Sequence, residues 1–338
     1  MSGTRFRAIT SRYEALRVAI VGDFFLDRYL HIDPARSETS IETGLEVHNV
    51  VEVRPQPGAA GTILNNLKAL GVGEVRPVGF CGEDGEGYEL RRALAQYPGV
   101  ILDDFLTVDS RRTPVYCKPM VIEPDRPPRE LNRFDSKNWG PTPSHLARDI
   151  AERVRGLAGR VDAIILMDQV DRDGTGVVTG PVREAASSVA DGRSGPIVLA
   201  DSRRGLAGFP PLGFKMNADE LTRMTGDMCS DVDQVKRRAS DLAERNRHPV
   251  FVSLAERGIV GASPGSPPEH VPALAVQGPI DIVGAGDAVS ANLVAALASG
   301  ASIVEAMHIA MAAASIVIHQ LGTTGTASVA EIGNRLGG

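Results

Sequence analysis

The sequence predicts an α/β fold in which a doubly wound, mostly parallel sheet is flanked by helices. Short apolar runs that end in a polar residue are typical of buried parallel strands, and segments with one apolar helical face alternate with them. The chain has 338 residues, of which 43% are hydrophobic. That length permits one large domain with an insertion or two domains, and we expect one compact domain over residues 1–338 with a small lid.

The predicted strands are four apolar runs whose last residues are polar. Because ligands of such sheets bind beyond the carboxyl ends of the strands, we expect those last residues to face one crevice. Each of them could equally be an ordinary strand-ending residue or a helix cap. The runs are 18–23, 163–168, 197–201 and 250–253, and they end at Asp23, Asp168, Asp201 and Ser253.

Helical and lid segments lie between these runs. One helix is predicted where Ile63, Leu64, Leu67 and Leu70 share a face. Residues 31–55 and 105–135 break the alternation of strands and helices. We expect both segments to form a small β lid over the crevice, which would keep water away from a bound phosphate.

Charge and cysteine content limit the classes of function. The formal net charge of −6 argues against nucleic acid or an anionic membrane as the main partner, although a local basic pocket could bind a phosphorylated small molecule. The first apolar run is too short for a signal or membrane segment. Cys81, Cys117 and Cys229 lack CxxC spacing, so neither a disulfide framework nor a zinc site is indicated, and a reducing cytoplasm is expected.

The segment Asp281–Asp287, with the sequence Asp-Ile-Val-Gly-Ala-Gly-Asp, is the most informative part of the chain. Gly284, Ala285 and Gly286 can turn backbone N–H groups toward one anion, and the helix that follows adds its positive dipole end. Asp287 then lies where a hydroxyl that approaches a bound phosphate would lose its proton. We therefore predict that Asp287 is the catalytic base.

Two other interpretations of this segment exist. A Gly-Ala-Gly run before an alanine-rich helix could be only a tight turn. It also matches the first half of a dinucleotide fingerprint, but Val289 occupies the last glycine position and the segment lies in the last fifth of the chain, not after the first strand. We therefore discount nicotinamide binding.

Several separate elements resemble, in order, the ribokinase-like or PfkB carbohydrate kinases, and within them the heptose-phosphate kinase domain of lipopolysaccharide-precursor synthesis. The resemblance covers nearly the whole chain and implies the ribokinase-like form of the predicted fold. Its elements are the first strand at 21–29, the first signature at 57–71, an Asp-Pro-Lys-like segment at 201–204, the Asn-x-x-Glu motif at 217–220, a nucleotide strand-turn at 253–258, the second signature at 281–287, and the adenine-pocket segment at 321–323.

For the acceptor, the resemblance implies that Asp27 binds substrate hydroxyls and that a glycine turn at Gly58 lies against the sugar. Two positions depart from the family pattern, because Ala59 replaces a glycine and Thr62 replaces a substrate-binding asparagine. The sugar contacts are therefore expected to be altered. The implied acceptor-binding residues are Asp27, Gly58, Ala59, Thr62, Asn66, Lys118, Arg133 and Asp287.

Lys118 and Arg133 are assigned because they align with basic positions near the heptose-phosphate pocket. The other cations of the lid are expected to be solvated. Cations of this kind grip phosphate well, so a sugar phosphate is favoured over a free sugar. The other lid cations are Arg36, Arg111, Arg112 and Arg129.

For the donor, the resemblance implies ATP and Mg²⁺, with K⁺ as a further possibility near Asp281 and Val283. Ala255 replaces a glycine of the nucleotide loop, and Met311 stands where an asparagine commonly lines the adenine pocket. The implied nucleotide-binding residues are Asn217, Glu220, Ser253, Ala255, Gly258, Gly286 and Met311. The implied metal ligands are Asn217, Glu220 and Asp281, in keeping with the preference of magnesium for oxygen.

The function implied by the resemblance is ATP-dependent transfer of the γ-phosphoryl group to a hydroxyl of a sugar or sugar phosphate. A nucleoside kinase is the alternative within the enzyme class. A catalytically weak, nucleotide-dependent sugar-binding regulatory protein is the alternative outside it. Exposed lid strands often pair with a second copy, as is common in this family, so a homodimer through the lid is expected.

Overall fold

Strands and helices alternate along most of the chain. A computed structural model describes residues 1–191, 195–226, 228–229 and 231–337. The strands are β1 (Arg17–Gly22), β2 (Phe24–Ile32), β3 (Glu38–Thr39), β4 (Glu46–Val47), β5 (Val50–Ala59), β6 (Glu74–Gly82), β7 (Phe105–Val108), β8 (Val115–Val121), β9 (Arg129–Glu130), β10 (Phe134–Ser136), β11 (Ala163–Asp168), β12 (Ile197–Ser202), β13 (Gly213–Asn217), β14 (Val250–Ser253), β15 (Ile259–Ala262) and β16 (Glu269–Val271). The helices are α1 (Gly3–Thr10), α2 (Ala60–Ala69), α3 (Gly85–Ala95), α4 (Ser144–Arg155), α5 (Gly180–Ala190), α6 (Ala218–Thr225), α7 (Val232–Asn246), α8 (Ala285–Ala298), α9 (Ile303–Val317) and α10 (Val329–Gly337).

The largest element is a nine-stranded sheet with the order β16-β15-β14-β13-β12-β11-β1-β6-β7. Its strands pair in parallel from β7 to β14, and β15 and β16 close one edge in antiparallel. This confirms the predicted fold class. The four predicted apolar runs are β1, β11, β12 and β14, whereas β13 was not anticipated.

Hydrophobic cores cover both faces of this sheet. Along β1, Val18 and Ile20 pack into one core, and Ala19 and Val21 pack into the other. This alternation explains why the strand is apolar at every position, as expected for a parallel sheet buried on both sides. Within the described residues, no helix has the length and apolar composition needed to cross a membrane.

A smaller sheet, here called the lid, has the order β10-β8-β2-β5, and β9 pairs with β8. It therefore differs from the predicted segments 31–55 and 105–135 in two respects. β2 begins at Phe24, because the chain leaves the large sheet at Asp23 and enters the lid directly. Residues 105–108 form β7 in the large sheet, because the crossover through α3 brings the chain back beside β6.

The lid joins α2 through a strained turn. Ala59 ends β5 and precedes α2 with φ 54° and ψ −119°, a positive φ that residues with a Cβ rarely adopt. Its backbone is held in register opposite Phe24, and the next amide, Ala60 N–H, donates to Asp23 O at 3.0 Å. The surrounding pairing therefore imposes a glycine-like conformation on an alanine.

We expect Ala59→Gly to stabilise the protein. Relief of ~1–3 kcal/mol of backbone strain exceeds the ~0.4–1 kcal/mol that glycine adds to the conformational freedom of the unfolded chain. Thermal unfolding followed by circular dichroism should show a midpoint higher by about 2 °C.

Ala8→Gly, at an exposed position of α1, is the matched control and should lower the midpoint, because glycine weakens a helix. A midpoint for Ala59→Gly at or below that of the wild type would contradict the argument.

Candidate active site

The turn that carries Asp287 begins helix α8, as the sequence predicts. Gly284 is the N-cap residue, with φ 82° and ψ −7°, a left-handed conformation that favours glycine. Ala285 N–H donates to Ile282 O at 3.2 Å, whereas Gly286 and Asp287 donate to no backbone carbonyl of the described residues. Those two N–H groups, at the positive end of the helix, can therefore bind an anion.

A buried lysine lies beneath this turn, and the sequence analysis missed it. Lys215 projects from β13 and is only 8% exposed, and its Nζ donates to Asp201 Oδ2 at 2.8 Å. The Nζ atom lies 3.0 Å from the place that a Cβ of Gly286 would occupy, so glycine lets the ammonium group approach the turn. Burial lowers the pKa of Lys215, but Asp201 and, more weakly, Asp287 raise it further, so the net pKa is raised and the side chain stays charged.

Asp287 is half-buried next to this ion pair, and its carboxylate has no hydrogen bond to another described residue. The pKa of Asp287 is raised to about 7, chiefly by burial. The charges of Asp201 and, more weakly, Asp27 also raise this pKa, whereas the charge of Lys215 lowers it. A carboxylate with a pKa near neutrality is suited to general-base catalysis. The influence of Asp27 also indicates that the lid adjoins the turn at 284–286.

Asp27 lies on the face of β2 that adjoins the turn. Its side chain is buried, and Lys118 Nζ donates to its Oδ2 at 2.9 Å. Its Oδ1 is buried without a hydrogen-bond partner, and a Cβ on Gly58 would lie 2.6 Å from that atom. Burial raises the pKa of Asp27 against the opposing charge of Lys118. Because buried polar atoms are seldom left unpaired, Oδ1 is suited to accept a hydrogen bond from a ligand hydroxyl.

The other predicted acceptor residues lie in different surroundings. Thr62 is buried in α2, with its Cγ2 methyl 3.6 Å from the place that a Cβ of Gly284 would occupy. Asn66 is fully buried, and its Nδ2 donates to Thr62 O at 3.0 Å, so this amide is used in holding α2, and its contact with a sugar stays a prediction. Arg133 pairs with Asp135 at 2.7 Å at the edge of the lid.

The Asn-x-x-Glu motif forms the start of α6. Asn217 Oδ1 accepts the N–H of Glu220 at 2.9 Å, and Glu220 Oε2 accepts the N–H of Asn217 at 2.8 Å, which is a capping box. Burial raises the pKa of Glu220, the backbone of Asn217 opposes the rise, and Asp201 adds to it, so the motif adjoins the Asp201 pair. Its role in metal binding stays a prediction.

Each predicted metal ligand already has one side-chain oxygen in a local hydrogen bond. Among the described residues, no three His, Cys, Asp or Glu side chains form a metal-binding group. Asp281 instead shapes the turn, because its Oδ1 accepts the N–H of Val283 at 3.0 Å. Glu220 Oε1 is left without a hydrogen bond by the capping box. The donor set fits an ion held mainly by phosphate oxygens and water, with one or two carboxylates, as is usual for magnesium.

Several of the predicted nucleotide-binding residues lie at the ends of β13 and β14. Ser253 is in register with Asn217 across these strands, and its Oγ donates to Met216 O at 3.3 Å. In the loop that follows, Ala255 has φ 51° and Gly258 has φ 96°, and a Cβ on Gly258 would meet Val271 O at 2.1 Å. Met311 lies in the buried core around α9, and its contact with adenine stays a prediction.

The expected convergence of strand-ending residues holds only in part. Asp201 and Ser253 adjoin the elements just described. Asp23 instead accepts backbone N–H groups from Gln169 and Val177, and Asp168 accepts the guanidinium of Arg204 at 2.8 Å. Burial and the charge of Asp168 raise the pKa of Asp23 to about 7. These two carboxylates are thus strand-end structural groups.

Comparison with known proteins shows which proteins the chain is similar to. Residues 213–330 match the pfkB family carbohydrate kinases. The chain is 30% identical over 324 residues to the bifunctional protein HldE of Gluconacetobacter diazotrophicus, and 31% identical over 332 residues to the bifunctional protein HldE of Klebsiella pneumoniae (strain 342). The resemblance inferred from the sequence is thus confirmed by the match over residues 213–330. The match supports the sugar kinase class that the sequence resemblance implied.

The two alignments cover 95% and 96% of this chain, but 63% and 64% of the HldE proteins. The chain thus spans less than two thirds of the length of these relatives.

Solved structures agree on the fold. Phosphofructokinase-2 from Escherichia coli in complex with substrates and products has a TM-score of 0.71 at 18% identity, and Arabidopsis thaliana ribokinase complexed with ribose and ATP has a TM-score of 0.68 at 20% identity. Each comparison covers 95% of this chain and 98% of the other.

The raised pKa of Asp287 predicts a pH-dependent effect of Asp287→Asn on stability. The pKa rises from 3.8 to about 7 on folding, so between these values the folded state binds more protons than the unfolded state. The stability of the wild type therefore falls as pH rises through this window. The variant lacks this group, so we expect it to unfold at a higher temperature than the wild type at pH 8, by about 2 °C or more.

At pH 4 the difference in unfolding temperature should largely vanish. Asp23 also titrates near 7, but it is common to both proteins and cancels in the comparison. If Asp287→Asn is less stable than the wild type at pH 8, the argument is contradicted. Ionised Asp287 would then be well solvated or well paired in the folded protein.

Proposed function

We propose that the chain transfers the γ-phosphoryl group of ATP to a hydroxyl of a sugar or sugar phosphate, with a heptose phosphate-like acceptor favoured. The observation that carries this proposal is the arrangement around Asp287. A free carboxylate with a pKa of about 7 lies between a cationic anion-binding turn on one side and the unpaired oxygen of Asp27 on the other.

In the proposed reaction, Asp27 Oδ1 and Asp287 accept hydrogen bonds from hydroxyls of the acceptor and so orient it. Asp287 removes the proton of the attacking hydroxyl as the new phosphorus–oxygen bond forms. The N–H groups at Gly286 and Asp287 and the ammonium of Lys215 stabilise the charge on the transferring phosphoryl group. ADP is the leaving group.

Magnesium, when bound, would neutralise charge on the phosphates of ATP, and Asn217 and Glu220 would hold it, directly or through water. Ser253, Ala255, Gly258 and Met311 would line the nucleotide site. A K⁺ ion near Asp281 and Val283 would steady the turn that precedes α8. The preference for a phosphorylated heptose as the acceptor rests on the likeness of this chain to the HldE proteins.

The test is magnesium-dependent ADP release from ATP in the presence of free sugars, nucleosides, and hexose or heptose phosphates. We expect turnover on at least one sugar or sugar phosphate. Asp287→Asn should lower kcat by ~10² to 10⁴, the usual contribution of a general base. Lys215→Met should lower kcat by ~10² to 10³, as loss of an anion-stabilising group does.

Asp241→Asn is the matched control, because Asp241 is exposed on α7 and pairs only loosely with Arg238 at 3.8 Å. Full turnover by folded Asp287→Asn would remove Asp287 from its role. Turnover on nucleosides alone would establish the alternative kinase. ATP and sugar binding without turnover by the wild type would favour the regulatory protein.

We also propose a homodimer through the lid. β5 is an edge strand of the lid, and Val51 and Val53 are exposed on it. Ile41 and Leu45 are exposed on the β3–β4 hairpin. Exposed strand edges with apolar side chains tend to pair with another chain. Val51→Asp should therefore shift the mass measured by light scattering from dimer to monomer.

Val276→Asp places the same charge on an exposed apolar residue outside the lid and should leave the dimer intact. A wild-type chain that is monomeric at micromolar concentration would overturn this part of the proposal.

A further inference from the structure

Two cations flank one aromatic ring on the lid. Arg54 Cζ lies 4.0 Å from the centroid of the Tyr29 ring, and Lys118 Nζ lies 4.7 Å from it. The three residues belong to adjacent strands, because Tyr29 is in register with Arg54 on β5 and with Lys118 on β8. They form a row across the same face of the lid as Asp27, since residues two apart on a strand share a face.

This row carries an excess of positive charge. Lys118 is paired with Asp27 at 2.9 Å, and Arg133 at the lid edge is paired with Asp135. The hydrogen bond of Arg54 goes to a neutral partner, Gln56 Oε1, at 2.9 Å, and none of the ion pairs among the described residues includes Arg54. In the row itself, the two cations Arg54 and Lys118 have one carboxylate partner, Asp27, which pairs with Lys118. Two like charges that share one ring repel each other, and a bound anion would relieve that repulsion.

The adjacent row, nearer to the phosphate-binding turn, is suited to hydroxyls. Asp27 lies between Gln56 and Tyr116 in register, and its Oδ1 is buried without a partner. Two residues along a strand span ~7 Å. Both cations reach back from the second row toward the first, Lys118 to Asp27 Oδ2 at 2.9 Å and Arg54 to Gln56 Oε1 at 2.9 Å. The lid therefore presents a hydroxyl acceptor near Asp287 and a cationic group beside that acceptor, as a sugar that carries a phosphate requires.

Arg54 is held in place for such a contact. Its guanidinium stacks on Tyr29, and Gln56 accepts one of its N–H groups, while Gln56 Nε2 donates to Thr324 Oγ1 at 2.6 Å. Thr324 packs beside Gly284, so the amide links Arg54 to the phosphate-binding turn. A planar guanidinium whose remaining N–H groups are free binds phosphate in a two-pronged geometry that a lysine cannot reproduce.

We propose that Arg54, together with Lys118, binds the terminal phosphate of the acceptor, and that Arg54 is the residue by which the site distinguishes a sugar phosphate from the free sugar. This inference rests on the proposed kinase function. It assigns to the lid a specificity for anionic acceptors, while the chemistry stays with Asp287.

The test compares Arg54→Met with the wild type on the phosphorylated acceptor that is turned over fastest and on the same sugar without its phosphate. We expect kcat/KM for the sugar phosphate to fall by ~10- to 100-fold, mainly through KM, because a charge-assisted hydrogen-bond pair is lost. The value for the free sugar should be unchanged. Arg54→Lys should be intermediate, since it keeps the charge but not the fork.

Arg36→Met is the matched control, because it removes the same charge from an exposed arginine of the lid that bonds to Asp33. It should leave both acceptors unaffected. An Arg54→Met variant that loses activity equally on both acceptors, or on neither, would overturn the assignment while leaving the kinase function intact.

Binding without ATP gives a second readout. Calorimetry with glucose 6-phosphate and other hexose or heptose phosphates, against their free sugars, should show weaker binding of the phosphates alone in Arg54→Met. If the wild type turns over no acceptor, the kinase proposal fails, and this binding experiment decides the role of Arg54. Equal affinities of the wild type and Arg54→Met for the phosphates would overturn it.

Discussion

The site depends on the buried ion pair between Lys215 and Asp201. Asp201 lies at the carboxyl end of β12, Asp287 in the first turn of α8 and Asp27 on lid strand β2, and the charges of Asp201 and Asp27 both act on Asp287. Buried carboxylates that close together are unfavourable unless a cation compensates them. Lys215 supplies that cation from the adjacent strand, and Ser290 Oγ adds a hydrogen bond to Asp201 at 3.1 Å. The pKa of Asp287 results from this balance, because burial and Asp201 raise it and Lys215 lowers it.

The lid and the turn at 284–286 pack against one shared segment, residues 323–326. Residues 323–326 pass beside Gly284 and are held from three sides: by Gln56 of the lid, by Asn66 of α2, and by Gln320 after α9. A displacement of β5 would therefore act on the wall against which the turn packs. This arrangement joins the position of the lid to the geometry of the turn through packed polar contacts.

The sequence predicted the fold class, four strands of the large sheet, and the turn at 281–287, because apolar runs and glycine patterns are local signals. It missed Lys215, since the charge within Gly213–Asn217 interrupts the apolar run by which a buried strand is detected. It also missed Arg54, whose meaning depends on its register opposite Tyr29, and register is a property of strand pairing in three dimensions. The lid boundaries were wrong for a similar reason: nothing local marks the change of sheet at Asp23.

Two alanines stand where the family resemblance implies glycine. They show whether local preference or surrounding contacts set the backbone path at the site. Ala59 and Ala255 both have positive φ, 54° and 51°, so each turn keeps a conformation that its residue disfavours. At Ala59 the chain is fixed by pairing with Phe24, and at Ala255 by the bond from Leu254 N–H to Gly258 O at 2.7 Å. Contacts from neighbouring elements therefore outweigh local preference at both ends of the site. A change from glycine to alanine at these positions adds strain to the turn, while the surrounding structure keeps its path.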